Sequence, residues 1–132
     1  MGHCWGEHVG ELELRLDAAE EAGLFAAAVG AIGELLGSDE RAGAREWMEV
    51  SAEGAERAVL LAAWVEELVF VAEHDGIVPV TAEEMVLESG RIGARIGGYR
   101  GDPPHLVKAV TYHRLTFERR DGGWRAVLVL DV

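Results

Sequence analysis

The sequence is short of positive charge: 12 Lys and Arg stand against 24 Asp and Glu, a formal net charge of −12. A direct nucleic-acid binder needs clustered cations to neutralise phosphates, so no direct nucleic-acid binding is expected. Acidity of this size suits a basic protein partner, or solubility alone. Cysteine is almost absent. The lone Cys4 leaves no internal disulfide to form and fits a reducing compartment, so a cytoplasmic location is expected. Long hydrophobic runs are missing as well. The longest, Ala58 to Ala72, is interrupted by Glu66 and Glu67 and is too short to span a bilayer, so no membrane association is expected. The opening MGHCWGEHVG has neither the basic start nor the apolar stretch of a signal peptide, and Gly6 breaks the myristoylation pattern. The chain has no P-loop, no G-x-G-x-x-G and no G-x-S-x-G, which leaves nucleotide-binding and acyl-transfer readings without support.

What is present is enough for a core. Hydrophobic residues make up 49% of 132 residues, the size and composition of one globular domain over residues 1–132. Glu11 to Leu16 alternates, with three leucines on one face and Glu11, Glu13 and Arg15 on the other, and predicts a half-buried strand. Asp17 stands three residues before Glu20, a capping-box spacing for the helix whose apolar positions run from Leu24 to Leu36. Ser38 to Arg45 reads as a polar loop and Trp47 to Ala52 as a short strand. Ala55 to Glu73 is apolar almost all round at its start, which predicts a buried central helix ended by His74-Asp75-Gly76. Met85–Leu87 and Arg91–Ile96 read as two short strands, and Gly97-Gly98 through Pro103-Pro104 as a loop. Strand, helix, strand, helix and then four strands make an α+β domain, two helices packed on a mostly antiparallel β-sheet.

The final segment, VKAVTYHRLTFERRDGGWRAVLVLDV, predicts a hairpin about Asp121-Gly122. That turn pairs Glu118 with Arg125, Phe117 with Ala126 and Leu115 with Leu128, and carries Asp131 to a place opposite Tyr112. Asp131 then lies beside the free carboxylate of Val132. Glu11 and Asp131 both fall on the non-core faces of their strands, so they meet at one sheet end if the two strands are neighbours. Hard oxygen donors without cysteine suit Ca²⁺, Mg²⁺ or Mn²⁺ rather than structural zinc. Among 24 acidic residues, though, surface carboxylates are commonplace. The five histidines show no zinc-ligand spacing; His8 and Glu11 form an H-x-x-E, and His113 falls on the Leu115 and Phe117 face as a core histidine would.

These residues carry a resemblance to the archease family. V-K-A-V-T-Y-H, a short hairpin and a terminal Asp-Val resemble the family's C-terminus. Glu7-His8-Val9-Gly10-Glu11 is similar to its E-H-T-A-D, and Trp64 to Phe70 to its W-L-x-E-L-L-[YF] helix. His74-Asp75-Gly76-Ile77-Val78 is similar to the segment that follows that helix. The resemblance implies an activator of the RNA ligase that joins 3′-phosphate or 2′,3′-cyclic-phosphate ends in tRNA splicing or RNA repair. It also implies a divalent metal, Ca²⁺ first, with Mn²⁺ or Mg²⁺ as alternatives, held by Glu11, Asp131 and Val132. Lys108 matches the family lysine tied to activation of the partner. Glu11 stands where the family has Asp, and Val9-Gly10 where it has Thr-Ala. Two other readings stay open: a small metal-dependent enzyme using His8, Glu11 and Asp131, and a general chaperone or modulator. No oligomeric state can be read from the sequence.

Overall fold

In the computed structural model, residues 2–37 and 44–132 are described. The polar loop expected over Ser38 to Arg45 lies largely outside the described residues. The elements in chain order are β1 (Gly2–His8), β2 (Glu11–Ala18), α1 (Glu21–Leu35), β3 (Glu46–Glu53), α2 (Arg57–Asp75), β4 (Ile77–Glu88), β5 (Arg91–Arg100), β6 (Ala109–Arg120) and β7 (Gly123–Asp131). The strands form two antiparallel sheets, β1-β2-β7-β6 and β3-β5-β4. The α+β expectation holds, with the strands divided between two sheets rather than gathered in one. Each helix touches both: α1 packs on β2 and β4, and α2 on β3 and β6.

The leucine face of β2 accounts for one wall of the core, with Leu14 and Leu16 buried against Leu128 and Ala126 of β7. Trp64 fills the centre of α2 at 0% exposure, and its indole N–H donates to the Phe25 carbonyl at 3.0 Å. That bond satisfies a buried donor and ties α2 to α1. Gly76 ends α2 in the left-handed region (φ 69°), its N–H returning to the Ala72 carbonyl at 3.1 Å, as the His-Asp-Gly signal predicts.

Two local expectations are corrected and one strand is added. Asp17 caps nothing: β2 runs on to Ala18 and pairs Asp17 with Arg125, while α1 begins at Glu21 without a side-chain cap. β1, a strand with no clear alternation to announce it, pairs with β2 along its whole length. Gly97 and Gly98 are not loop but the end of β5. A Cβ on Gly98 would lie 2.2 Å from the Val78 carbonyl oxygen, and one on Gly97 would meet the Trp47 ring at 2.8 Å. Those glycines allow two neighbouring strands to come close, which is a strand role.

The terminal hairpin turns at Asp121 (φ 50°) and Gly122 (φ 78°), the left-handed pair of a two-residue turn. Glu118 faces Arg125 and Phe117 faces Ala126, as expected. The register then breaks between Thr116 and Thr111, so Leu115 has no ladder partner in Leu128 and Asp131 lies opposite Ala109, not Tyr112. The physical reason is the face of Val110. An unbroken ladder would put Val110 on the face opposite Phe117, in water, and turn Thr111 and His113 into the core. The bulge adds an odd number of residues and inverts the alternation, so Val110 is 7% exposed and His113 is exposed. His113 is therefore not a core histidine.

Candidate functional site

At one end of the four-stranded sheet the register lines up a single row across all four strands. His8 of β1 is the Cα partner of Glu11, Glu11 of Asp131, and Asp131 of Ala109. Glu11 and Asp131 thus sit side by side on the face away from the leucines. Antiparallel partners hold their Cβ atoms about 5 Å apart, which puts the two carboxylates within reach of a common space. The segment around them is fixed by backbone bonds. The Val132 N–H donates to the Gly10 carbonyl at 3.0 Å, and the Lys108 N–H to the Asp131 carbonyl at 2.7 Å. Lys108, the chain's single lysine, is exposed beside the row.

A residue that the sequence does not single out reaches the row from beside it. Arg114 takes a left-handed conformation (φ 58°) inside the β6 bulge, and its Nη2 lies 3.8 Å from Glu11 Oε1. A residue with a Cβ takes this conformation less readily than glycine does, and the bulge is what carries this guanidinium to the carboxylate face. The signal for it lay in the parity conflict between Val110 and Phe117.

The donor set fits a hard divalent cation in kind: two side-chain carboxylates on one face, with a terminal carboxylate next to one of them. Among the described residues no three His, Cys, Asp or Glu side chains gather as a metal cluster. A third protein donor would therefore be the Val132 carboxylate, and Arg114 is a standing competitor for Glu11.

A second feature adjoins the row. A groove of about 310 Å³ runs between α2 and the start of β6, walled by Glu66, Val69, Phe70 and Glu73 on the helix and by Val107 to Val110 on the strand side. The four helix positions follow the spacing of one helix face. Burial, with repulsion from Glu67 second, raises the Glu66 carboxyl above its ordinary 4.5. Phe70 is 56% exposed and stacks on His74 with centroids 4.9 Å apart. Glu73 Oε1 lies 3.8 Å from His105 Nδ1, while its Oε2 is shut off from solvent with no hydrogen-bond partner among the described residues.

Fold and row together define a small two-sheet α+β protein in which an N-terminal strand and the last strand bring their carboxylates to one edge. Residues 5–132 match the Archease protein family (MTH1598/TM1083), and the chain belongs to that family. The archease of Methanopyrus kandleri is 35% identical over 134 residues, spanning 96% of each chain. The solution structure of protein 1598 from Methanobacterium thermoautotrophicum shares the fold at a TM-score of 0.72 and 22% identity, over 99% of both chains. So does the crystal structure of an archease from Thermotoga maritima, described as a possible chaperone, at a TM-score of 0.70 and 20% identity, covering 96% of this chain and 94% of that one. No helix among the described residues is long and apolar enough to cross a membrane.

Proposed function

We propose that this archease acts on another protein rather than on a substrate of its own, promoting guanylylation and turnover of a 3′-phosphate RNA ligase in tRNA splicing or RNA repair. The observation that carries the reading is the Glu11–Asp131 pair at the sheet end, with Lys108 bonded through its N–H to the Asp131 carbonyl. Carboxylates and an ammonium on one small edge are the groups that handle a divalent cation and phosphate oxygens. Glu11, Asp131 and the Val132 carboxylate would hold the ion, Ca²⁺ or alternatively Mn²⁺ or Mg²⁺. Bound there, a divalent ion supplies positive charge to phosphate oxygens.

The rest of the task falls to the chain's own groups. Lys108 presents an exposed cation beside the row. The acidic body steers the protein towards a basic RNA-binding cleft, an effect that weakens once exposed charges are screened over about 8 Å at physiological salt. The protein is cytoplasmic on this reading, where such a ligase works.

The test is a guanylylation assay with a purified, matched 3′-phosphate RNA ligase. Addition of this chain should accelerate formation of the guanylylated ligase and allow repeated turnover, more strongly at low than at high ionic strength. The chain alone should neither join nor cleave RNA. Equal ligase rates with and without it would end the accessory reading, and RNA turnover by the chain alone would favour the metal-dependent enzyme using His8, Glu11 and Asp131.

A further inference from the structure

We propose that the groove between α2 and the start of β6 receives an arginine side chain presented by a basic partner protein. The inference rests on the accessory reading for the partner's class and adds the chemistry of the contact.

The groove offers what a guanidinium needs in three respects. Its floor and sides are apolar, with Val69, Val107 and Val110 nearly buried, which suits the aliphatic stem of a long cationic side chain. Its helix wall carries two carboxylates, Glu66 and Glu73, against the one ammonium of Lys108 on the strand side. Glu73 in particular has an oxygen cut off from solvent without a donor among the described residues, a state that a fork of N–H donors relieves by a small rotation of the carboxylate. Its third asset is Phe70, an aromatic ring left 56% exposed with His74 stacked against it. A planar guanidinium stacks on such a ring, and an ammonium does so less well.

Charge selects the occupant. With a net charge of −12 the body attracts basic surfaces, and the groove shares the Val107–Val110 segment with the carboxylate row through the Lys108–Asp131 bond. A basic partner that approaches the row is therefore brought over the groove in the same encounter. Glu66, destabilised in its charged form by burial and by Glu67, gains from a cation at this place.

The experiment is an NMR titration of the full chain with N-acetyl-arginine methylamide, with the neutral isostere N-acetyl-citrulline methylamide run in parallel. Saturable shifts should cluster on Glu66, Val69, Phe70, Glu73 and Lys108, with affinity for citrulline lower by about tenfold or more. Phe70→Ala should weaken arginine binding about three- to fivefold, and Glu73→Gln more than that. Both positions lie at the groove wall, and an otherwise unchanged spectrum verifies the fold of each variant. Shifts scattered over the acidic surface, or equal binding of citrulline, would overturn the proposal. So would unaltered arginine affinity in both variants. The probe is one amino-acid derivative, so the titration reads the groove without the ligase, and the guanylylation assay reads the function without the groove.

Discussion

Arg114 and Glu11, far apart in sequence, form an ion pair across the edge of the sheet, Nη2 to Oε1 at 3.8 Å. The β6 bulge exists between them for a packing reason, the burial of Val110, yet its outcome is electrostatic. A guanidinium and a divalent ion cannot both hold Glu11 at full strength. Arg114→Ala should therefore raise the affinity for Ca²⁺ in calorimetric titration by about fivefold, the equivalent of one charge at 4 Å in water. Stability should change by no more than about 0.5 kcal/mol, because both partners are partly exposed. An unchanged or weakened Ca²⁺ affinity would show that the ion, if bound, does not use Glu11.

Asp131→Asn and a C-terminal extension should act alike. Each removes one formal negative charge from the proposed ligand set, and a hard cation binds more weakly as ligand charge falls, on the order of tenfold per carboxylate here. The fold should survive both changes, since Leu128 and Leu130 pack on the opposite face and the Val132 N–H to Gly10 bond is kept. Circular dichroism verifies the fold and Ca²⁺ or Mn²⁺ titration reads the site. Identical affinities for the native end, the extended end and Asp131→Asn would remove the terminal residues from the ligand set.

Two carboxyls should respond to acid in opposite senses. Glu46 is held below its ordinary 4.5 by hydrogen bonds from Arg100, with Oε1 and Oε2 each 2.8 Å from a guanidinium nitrogen. Its contribution is present above the unfolded value and is lost as pH falls through the lowered folded value. Glu66 has a raised folded pKa, so its unfavourable contribution is absent below 4.5 and develops as pH rises through the folded value. Denaturant melts across pH should show Glu66→Gln stabilising by at most about 0.5 kcal/mol at neutral pH and by nothing below the carboxylate range. Glu46→Gln should instead lower stability at neutral pH and leave it unchanged in acid. A reversed order for either variant would contradict the assignment.

Trp64→Phe should be the most costly of these changes. The ring is fully buried, and its N–H supplies the Phe25 carbonyl. Phenylalanine removes this tie between the helices, while the Phe25 carbonyl keeps its place in the α1 ladder, and it leaves a void in the core, for a loss of about 2–4 kcal/mol in equilibrium unfolding. A loss below about 1 kcal/mol would mean that neighbouring side chains close over the void.

Much of this architecture was legible in the sequence where periodicity and turn chemistry agree. The Leu12, Leu14, Leu16 alternation, the Asp121-Gly122 turn and the apolar run of α2 all appear as read. The meeting of Glu11 with Asp131 followed from parity and needed only that β2 and β7 be neighbours, which they are. What escaped was set by tertiary contacts. GHCWGEH has no clear alternation, so β1 is a strand because β2 offers it a free edge. Gly97-Gly98 looks like a loop until Trp47 and Val78 are seen against it. The bulge that moved Asp131 from Tyr112 to Ala109 also brought in Arg114, and no propensity marks an arginine for a left-handed backbone.

The strand order β1-β2-β7-β6 also has a consequence in time. β2 is synthesised before both helices, and β7, the neighbour it needs on its second edge, follows them. Until β7 is made, one edge of β2 is unpaired and its sheet is only the β1–β2 ribbon under α1, and a two-stranded ribbon is marginal in water. Closure of the sheet across nearly the whole chain is the slow kind of pairing, since its loop-closure entropy must be met before the contact forms. The carboxylate row is assembled by that same late event. A chain that lacks β7 therefore has most of the acidic body and lacks the row, so the part proposed to meet the ligase comes into being only once β7 is in place.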